Sequence, residues 1–227
     1  MIVPHAHGFK SVKWLKHITV TNDYRVGDTY ASLDPWGNDP ASHLKTYASV
    51  DGAEIRAPDG TVTPPGNPGH YQHTFHEGDT VFLSGVAMNG RTPLDRVEYW
   101  VRLVPSHAEA EPLNDDDPEL LVAAQWHPAR ITPPPKDSAS ARALLPPGTN
   151  PSEVHGFKAD GTPRRWPLPM SYVSWQVHIA GLKPGCYELR ARTVDESGNA
   201  QPEPRPIQKN GRNSIGCRRI TVLSSNK

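Results

Sequence analysis

The side chains able to do chemistry stand in only a few places. Histidines cluster in Gly69-His70-Tyr71-Gln72-His73-Thr74-Phe75-His76, and His5 and His7 flank Ala6, so imidazole ligation of zinc or copper is the first chemistry to weigh. Three-residue spacing gathers side chains on a helix. Here Pro68-Gly69 and Gly78 frame an extended approach to a strand, where His73 faces opposite to His70 and His76. A shared metal is not expected. Cys186 and Cys217 lie at no close metal-ligand spacing. Each opens a strand; in an antiparallel pair they would stand about seven residues apart at ~3.3 Å each, beyond the roughly 7 Å that a disulfide spans. Both are expected to be free thiols. Asp115-Asp116-Asp117 lacks the alternating spacing of a calcium loop and reads as a solvated turn. Arg164-Arg165-Trp166 could border an anion site, against the simpler reading of two solvated arginines.

Composition limits what these groups can serve. In 227 residues, Lys+Arg and Asp+Glu both number 24 and the formal charge is +0. No whole-chain field exists to hold a nucleic-acid backbone or an anionic membrane, so electrostatic function must be local. No stretch approaches the ~20 apolar residues of a membrane span. The start, Met1 to Lys10, shows no basic region followed by an apolar run, and no signal peptide is expected in it. The hydrophobic fraction is 36% and mean hydropathy −0.60, but six Trp, seven Tyr and four Phe supply a core. Pro 25 and Gly 18 exceed ordinary usage. Proline breaks helix interiors and is confined to edges and turns of sheets, which predicts short strands joined by long loops.

The elements follow from periodicity. Residues 11–22 read as a first strand with an Asn-Asp exit, and 24–70, rich in Pro and Gly breakers, as a loop region that wraps a core without forming one. Thr80–Met88 is apolar on both parities. In Asp95–Val104, Val97, Tyr99, Val101 and Leu103 alternate with Glu98, Trp100 and Arg102, the pattern of a half-buried strand. Leu120–Trp126 is a weaker strand, followed by a Pro-rich surface excursion from His127 to about Pro169. Val173–Ile179 and Tyr187–Thr193 alternate on either side of Lys183-Pro184-Gly185 and predict a hairpin; Cys217–Val222 closes the set. About seven such strands predict an all-β immunoglobulin-like (E-set) β-sandwich with long Pro-rich loops.

Several segments carry a family resemblance. Ile2-Val3-Pro4 and Gly8-Phe9-Lys10-Ser11-Val12-Lys13-Trp14-Leu15 resemble the junction at which the sulfite oxidase family of molybdenum enzymes leaves its molybdopterin domain. Leu83-Ser84-Gly85-Val86-Ala87, Val97-Glu98-Tyr99-Trp100-Val101, the run Leu182-Lys183-Pro184-Gly185-Cys186-Tyr187-Glu188-Leu189-Arg190-Ala191-Arg192-Thr193-Val194-Asp195, and Gly198-Asn199-Ala200-Gln201-Pro202 resemble the immunoglobulin-like dimerisation domain of that family. The resemblance covers nearly the whole chain apart from the long loops. It implies residues 1–22 as the end of the cofactor-domain junction and first strand, and 23–227 as the dimerisation domain, with insertions at about 24–70 and 127–169. His5-Ala6-His7 replaces the usual Pro-Gly turn.

That resemblance also implies site residues. Ser11, the Val12 backbone and Lys13 would contact the pterin, whose terminal phosphate suits an ammonium and backbone N–H groups. The bland alternative for Lys13 is a solvated strand lysine beside a core Trp14. Arg212, in Lys209-Asn210-Gly211-Arg212-Asn213, would reach the anion pocket, with Lys209 and Arg218 as rivals; a guanidinium suits an oxyanion through paired hydrogen bonds. The cysteine that ligates molybdenum in the family belongs to the cofactor domain, which has no counterpart here. The expected function is therefore the C-terminal part of a sulfite-oxidase-type molybdenum oxidoreductase, inactive alone, forming a homodimer and joined to a cofactor domain in cis or trans. A periplasmic location fits the resemblance. The alternative is a non-catalytic binding or assembly module using Trp36, Tyr71 and Trp166 on its loops; a histidine metal protein is a third reading.

Overall fold

The structure is a computed structural model and describes residues 14–17, 46–56, 62–63, 74–88, 90, 92–110, 113–114, 116–168, 171–202 and 214–225. Ten strands are described: β1 (Tyr47–Ala48), β2 (Gly52–Arg56), β3 (Val62–Thr63), β4 (Thr74–His76), β5 (Val81–Met88), β6 (Leu94–Val104), β7 (His127–Ile131), β8 (Tyr172–Ile179), β9 (Gly185–Asp195) and β10 (Cys217–Leu223). Among the described residues, helix is confined to short pieces: a π-helical turn at Glu119–Ala123, α1 at Ser138–Arg142 and a 3₁₀ turn at Pro151–Glu153. The protein is mostly β, as the proline excess demands.

The strands form one curled mixed sheet in the order β3-β2-β5-β8-β7-β6-β9-β10-β4, with β1 beside β5. All pairs are antiparallel except β10–β4, which is parallel. The curl is made at β7. His127, Pro128 and Ala129 pair with β6, whereas Arg130 and Ile131 pair with β8, so one strand belongs to both halves and turns the corner between them. Inside the curl a single apolar cluster joins Val81, Leu83 and Trp175 of one half to Val97, Leu189 and Ile220 of the other.

Strand positions follow the alternation closely, but partners do not. β8 and β9 are not a hairpin: β8 pairs with β5 and β7, and β9 with β6 and β10. Periodicity sets which face a residue occupies, not which strand lies beside it, and the Gly181–Pro184 connection carries the chain from one half of the curl to the other. Tyr187 pins this crossing by donating its hydroxyl to Lys183 O at 2.8 Å.

Other expectations need correction. Part of the 24–70 region forms the core: Ala48, Val50 and Ala53 are buried in the main cluster. Leu120–Trp126 holds the π-helical turn instead of a strand, and the excursion expected from His127 begins with β7, a strand interior to the sheet order. Trp14–His17 are not strand, and Trp14 is 90% exposed, so it is no core residue.

Gly85 explains how the first strands fit. Between Ala48↔Ala87 and Gly52↔Ser84 the register slips by one residue, and the extra residue bulges over β5. A Cβ at Gly85 would lie 2.0 Å from Ser49 O. Only glycine lets that carbonyl approach, where it accepts Trp175 Nε1 at 3.1 Å.

Candidate functional site

The charged residues gather on the face of β6, β9 and β10 that points away from the core. Register places them in rows across the strands: Arg102, Glu188 and Arg219 in one, Trp100, Arg190 and Cys217 in the next, and Glu98 beside Arg192 in a third. From alternation alone this face is polar and open to water. It is in fact covered: Glu188 is 0% and Arg190 4% exposed.

The cover is a strap, the segment between β6 and β7. Leu120 from its π-helical turn packs with Trp100 and Ile215, and Leu113, Ala124 and Trp126 join them. Asp117 sets up the turn by accepting Glu119 N at 2.8 Å. Arg102 then grips Glu119 with two parallel hydrogen bonds, Nε to Oε1 at 2.8 Å and Nη2 to Oε2 at 2.9 Å. His107 Nε2 lies 3.0 Å from Ile220 O, and His107 O accepts Arg219 Nη1 at 2.9 Å, which fastens the strap to β10.

Glu188 sits at the centre of this network. Its Oε1 accepts Arg219 Nε at 3.2 Å and Nη2 at 3.1 Å; its Oε2 accepts Arg102 Nη1 at 3.2 Å and Arg190 Nη2 at 3.1 Å. A buried carboxylate is costly unless paired and fully hydrogen-bonded, and three guanidiniums meet that condition. Burial pushes its carboxyl up, but the hydrogen bonds and charge of Arg190, then Arg102 and Arg219, outweigh this and hold it below the ordinary value. Glu98 is balanced likewise, burial against hydrogen bonds from Arg96 (2.8 Å) and Arg192 (2.7 Å), and also ends low. Arg192 completes the row with its guanidinium carbon 4.3 Å from the Trp126 ring centroid. Chemically this is a lock. The guanidiniums are committed to carboxylates, and burial keeps the neighbouring Cys217 thiol up in pKa and protonated.

A second node lies at the edge of the same half. Gln201, 0% exposed, accepts Ala48 N at 3.0 Å and Thr193 N at 3.3 Å on Oε1, and donates Nε2 to Ser214 O at 2.8 Å. Thr193 Oγ1 also meets Thr46 Oγ1 at 2.9 Å. The backbone of Ala48 in β1, Thr193 in β9 and Ser214 before β10 is thus tied to one side chain.

Of the residues named from sequence, Ser11, Val12, Lys13, Lys209 and Arg212 lie outside the described residues, as do His5, His7, His70, His73, Asp115, Trp36 and Tyr71. Arg218 is half-buried, on the parity opposite to Glu188. Arg219 is held by Glu188 and His107. Trp166 is half-buried, donating Nε1 to Thr132 O at 2.7 Å, so it is not a free loop aromatic. Arg164 and Arg165 border a groove. His76 is in β4, its N–H bonded to Asp79 Oδ2 at 2.7 Å. Among the described residues, no three His, Cys, Asp or Glu side chains are grouped to hold a metal. Cys186 and Cys217 are free thiols; the register puts Cys217 opposite Arg190 and Cys186 opposite Thr221, four residues apart along the pair instead of about seven. The strap network and Gln201 escaped sequence reasoning. Trp100 on the polar parity, with Leu120 and Trp126 downstream, was the signal that the face is covered.

No protein-family model matches the chain, and no curated protein matches it. Among solved structures it is similar to the sulfane dehydrogenase SoxCD from Paracoccus pantotrophus, with a TM-score of 0.36 and 18% identity over 74% of this chain and 34% of that one. The chain thus spans about a third of that protein's length.

Proposed function

We propose that the chain is the immunoglobulin-like, C-terminal part of a sulfite-oxidase-type molybdenum oxidoreductase, acting with a cofactor domain in cis or trans and forming a homodimer. The observation that carries the reading is Trp14. It lies in the segment that resembles the family's domain junction and is 90% exposed, with Leu15 beside it 42% exposed. A single exposed apolar side chain is ordinary on a protein surface; the support here is that Trp14 and Leu15 are exposed side by side in the segment that resembles the domain junction. Two features are in line with an immunoglobulin-like relationship: the Tyr187 hydroxyl bonded back to Lys183 O resembles the tyrosine corner of immunoglobulin-like domains, and the resembling segments Leu83–Ala87, Val97–Val101 and Gly185–Asp195 lie in β5, β6 and β9 around the core.

In this reading molybdopterin, when bound, supplies oxygen-atom transfer. Ser11, Val12 and Lys13 hold the pterin end, and Arg212 orients a small oxyanion such as sulfite.

Co-expressing the chain with the coding region immediately upstream of it, then assaying the purified product for molybdenum and pterin, tests the proposal. Near-equimolar molybdenum is expected; folded product without metal or pterin, beside an intact cofactor domain, would count against it. The alternative, a non-catalytic assembly module, draws on Val122 and Leu121, which stand 85% and 47% exposed on the strap, and it predicts the metal-free result.

A further inference from the structure

The stretch between β7 and β8 carries five Lys or Arg against three Asp or Glu, in a chain whose charges balance overall. Its second half doubles back: Phe157 bridges to Pro163, Arg164 N donates to Gly156 O at 2.8 Å, and Gly156 takes φ +90° at the reversal. Beside this turn lies an open groove of about 510 Å³, whose lining includes Ser152, Glu153, His155, Arg164 and Arg165.

The donors around the groove are held in place but not used up. Arg164 Nε is committed to Phe157 O at 2.9 Å, which fixes the guanidinium plane and leaves both terminal nitrogens with no partner among the described residues. Arg165 pairs with Glu196 through one terminal nitrogen. The His155 ring makes no hydrogen bond to a described residue and borders the same opening. Glu153 also borders it, its Oε1 accepting Asn150 Nδ2 at 3.0 Å, while the Ser152 hydroxyl donates to Asn150 Oδ1 at 2.8 Å and so is not a donor to the groove.

We propose that this groove binds a tetrahedral oxyanion, a phosphate or sulfate group, with Arg164 as its principal ligand. A pre-oriented guanidinium offers paired donors to two oxygens of one anion. His155 and Arg165 line the same groove, and donors from three separate residues suit an anion with three or four acceptor oxygens better than a planar carboxylate with two. Arg164 belongs neither to the strap network nor to the Arg212 segment, so the site stands independently of the function proposed above.

Titrating the full chain with sodium phosphate at low ionic strength, followed by backbone amide NMR shifts, tests it, with sodium sulfate and sodium acetate as the other probes. Saturable shifts confined to residues 152–165 are expected for phosphate and sulfate, with acetate about tenfold weaker. Arg164→Gln should weaken phosphate about tenfold, as loss of charge-assisted hydrogen bonds does. Arg164→Lys should also weaken it, because the charge stays but the fork is lost; it serves equally if the glutamine variant disturbs the fold. The proposal is overturned by any of four results: no saturable binding, shifts centred elsewhere, phosphate affinity unchanged in both variants, or acetate bound as tightly as phosphate.

Discussion

Gln201 Oε1 accepts the backbone N–H of Ala48 at 3.0 Å across 153 residues of sequence. The same side chain reaches Thr193 N and Ser214 O, so one buried amide ties β1, β9 and the entry to β10. Its removal leaves several backbone groups without partners in a site closed to water, each costing about 1–3 kcal/mol. Gln201→Leu should therefore lower unfolding free energy by about 3 kcal/mol, read from urea denaturation. A loss below about 0.5 kcal/mol, within the range of a neutral surface change, would show that these bonds do not organise the sheet edge.

Gly85→Ala tests the close approach of the first strands. The added methyl meets Ser49 O at 2.0 Å and Trp175 Cζ2 at 2.9 Å. Neither the backbone nor a fully buried indole can retreat cheaply, so a loss of about 2–3 kcal/mol or more is expected. Thermal unfolding followed by Trp fluorescence measures it; an unchanged midpoint contradicts the bulge geometry.

Tyr187→Phe removes only the hydroxyl that meets Lys183 O. The fold should persist with a loss of about 1 kcal/mol. Circular dichroism checks the first and denaturant titration the second. An undiminished midpoint would mean that the crossing between the halves is held by packing alone.

Acid should loosen the strap. Glu188 and Glu98 both sit below the ordinary value of 4.5 in the folded protein. For a depressed carboxyl, the folded state binds fewer protons than the unfolded one, so stability is fully present above about pH 4.5 and declines as pH falls through the folded values. Unfolding free energy should be flat from neutrality to pH 5 and fall below pH 4.5. In Glu188→Gln that fall should be shallower, on a baseline lowered by about 3 kcal/mol because three guanidiniums lose their shared charge. An acid limb identical in the variant would remove Glu188 from this role.

The strands were largely legible in the amino acids. Alternation located β6, β8, β9 and β10 to within a residue or two, because each buries one apolar parity against the core, while a run apolar on both parities marked β5. Pairing was not legible, since Val173–Ile179 and Tyr187–Thr193 satisfy the same pattern whether they face each other or lie in opposite halves of the curl. Nor was the second buried face. Glu188, Arg190 and Arg192 read as solvent-facing until Leu120 and Trp126 are brought over them, and that contact is tertiary. For the site, Arg164 and Arg165 were visible as an adjacent pair, whereas the groove beside them depends on the Phe157–Pro163 reversal.

In the function proposed above, the exposed Trp14 and Leu15 close against a cofactor-bearing domain. The most direct measurement is the molybdenum-to-chain ratio of the co-purified product, in wild type and in Trp14→Asp. Since Trp14 is 90% exposed, the substitution should leave the unfolding midpoint of the chain unchanged while molybdenum falls at least about tenfold, the equivalent of about 1.4 kcal/mol of contact. A wild-type product without molybdenum, or a ratio that Trp14→Asp does not alter, would contradict the account.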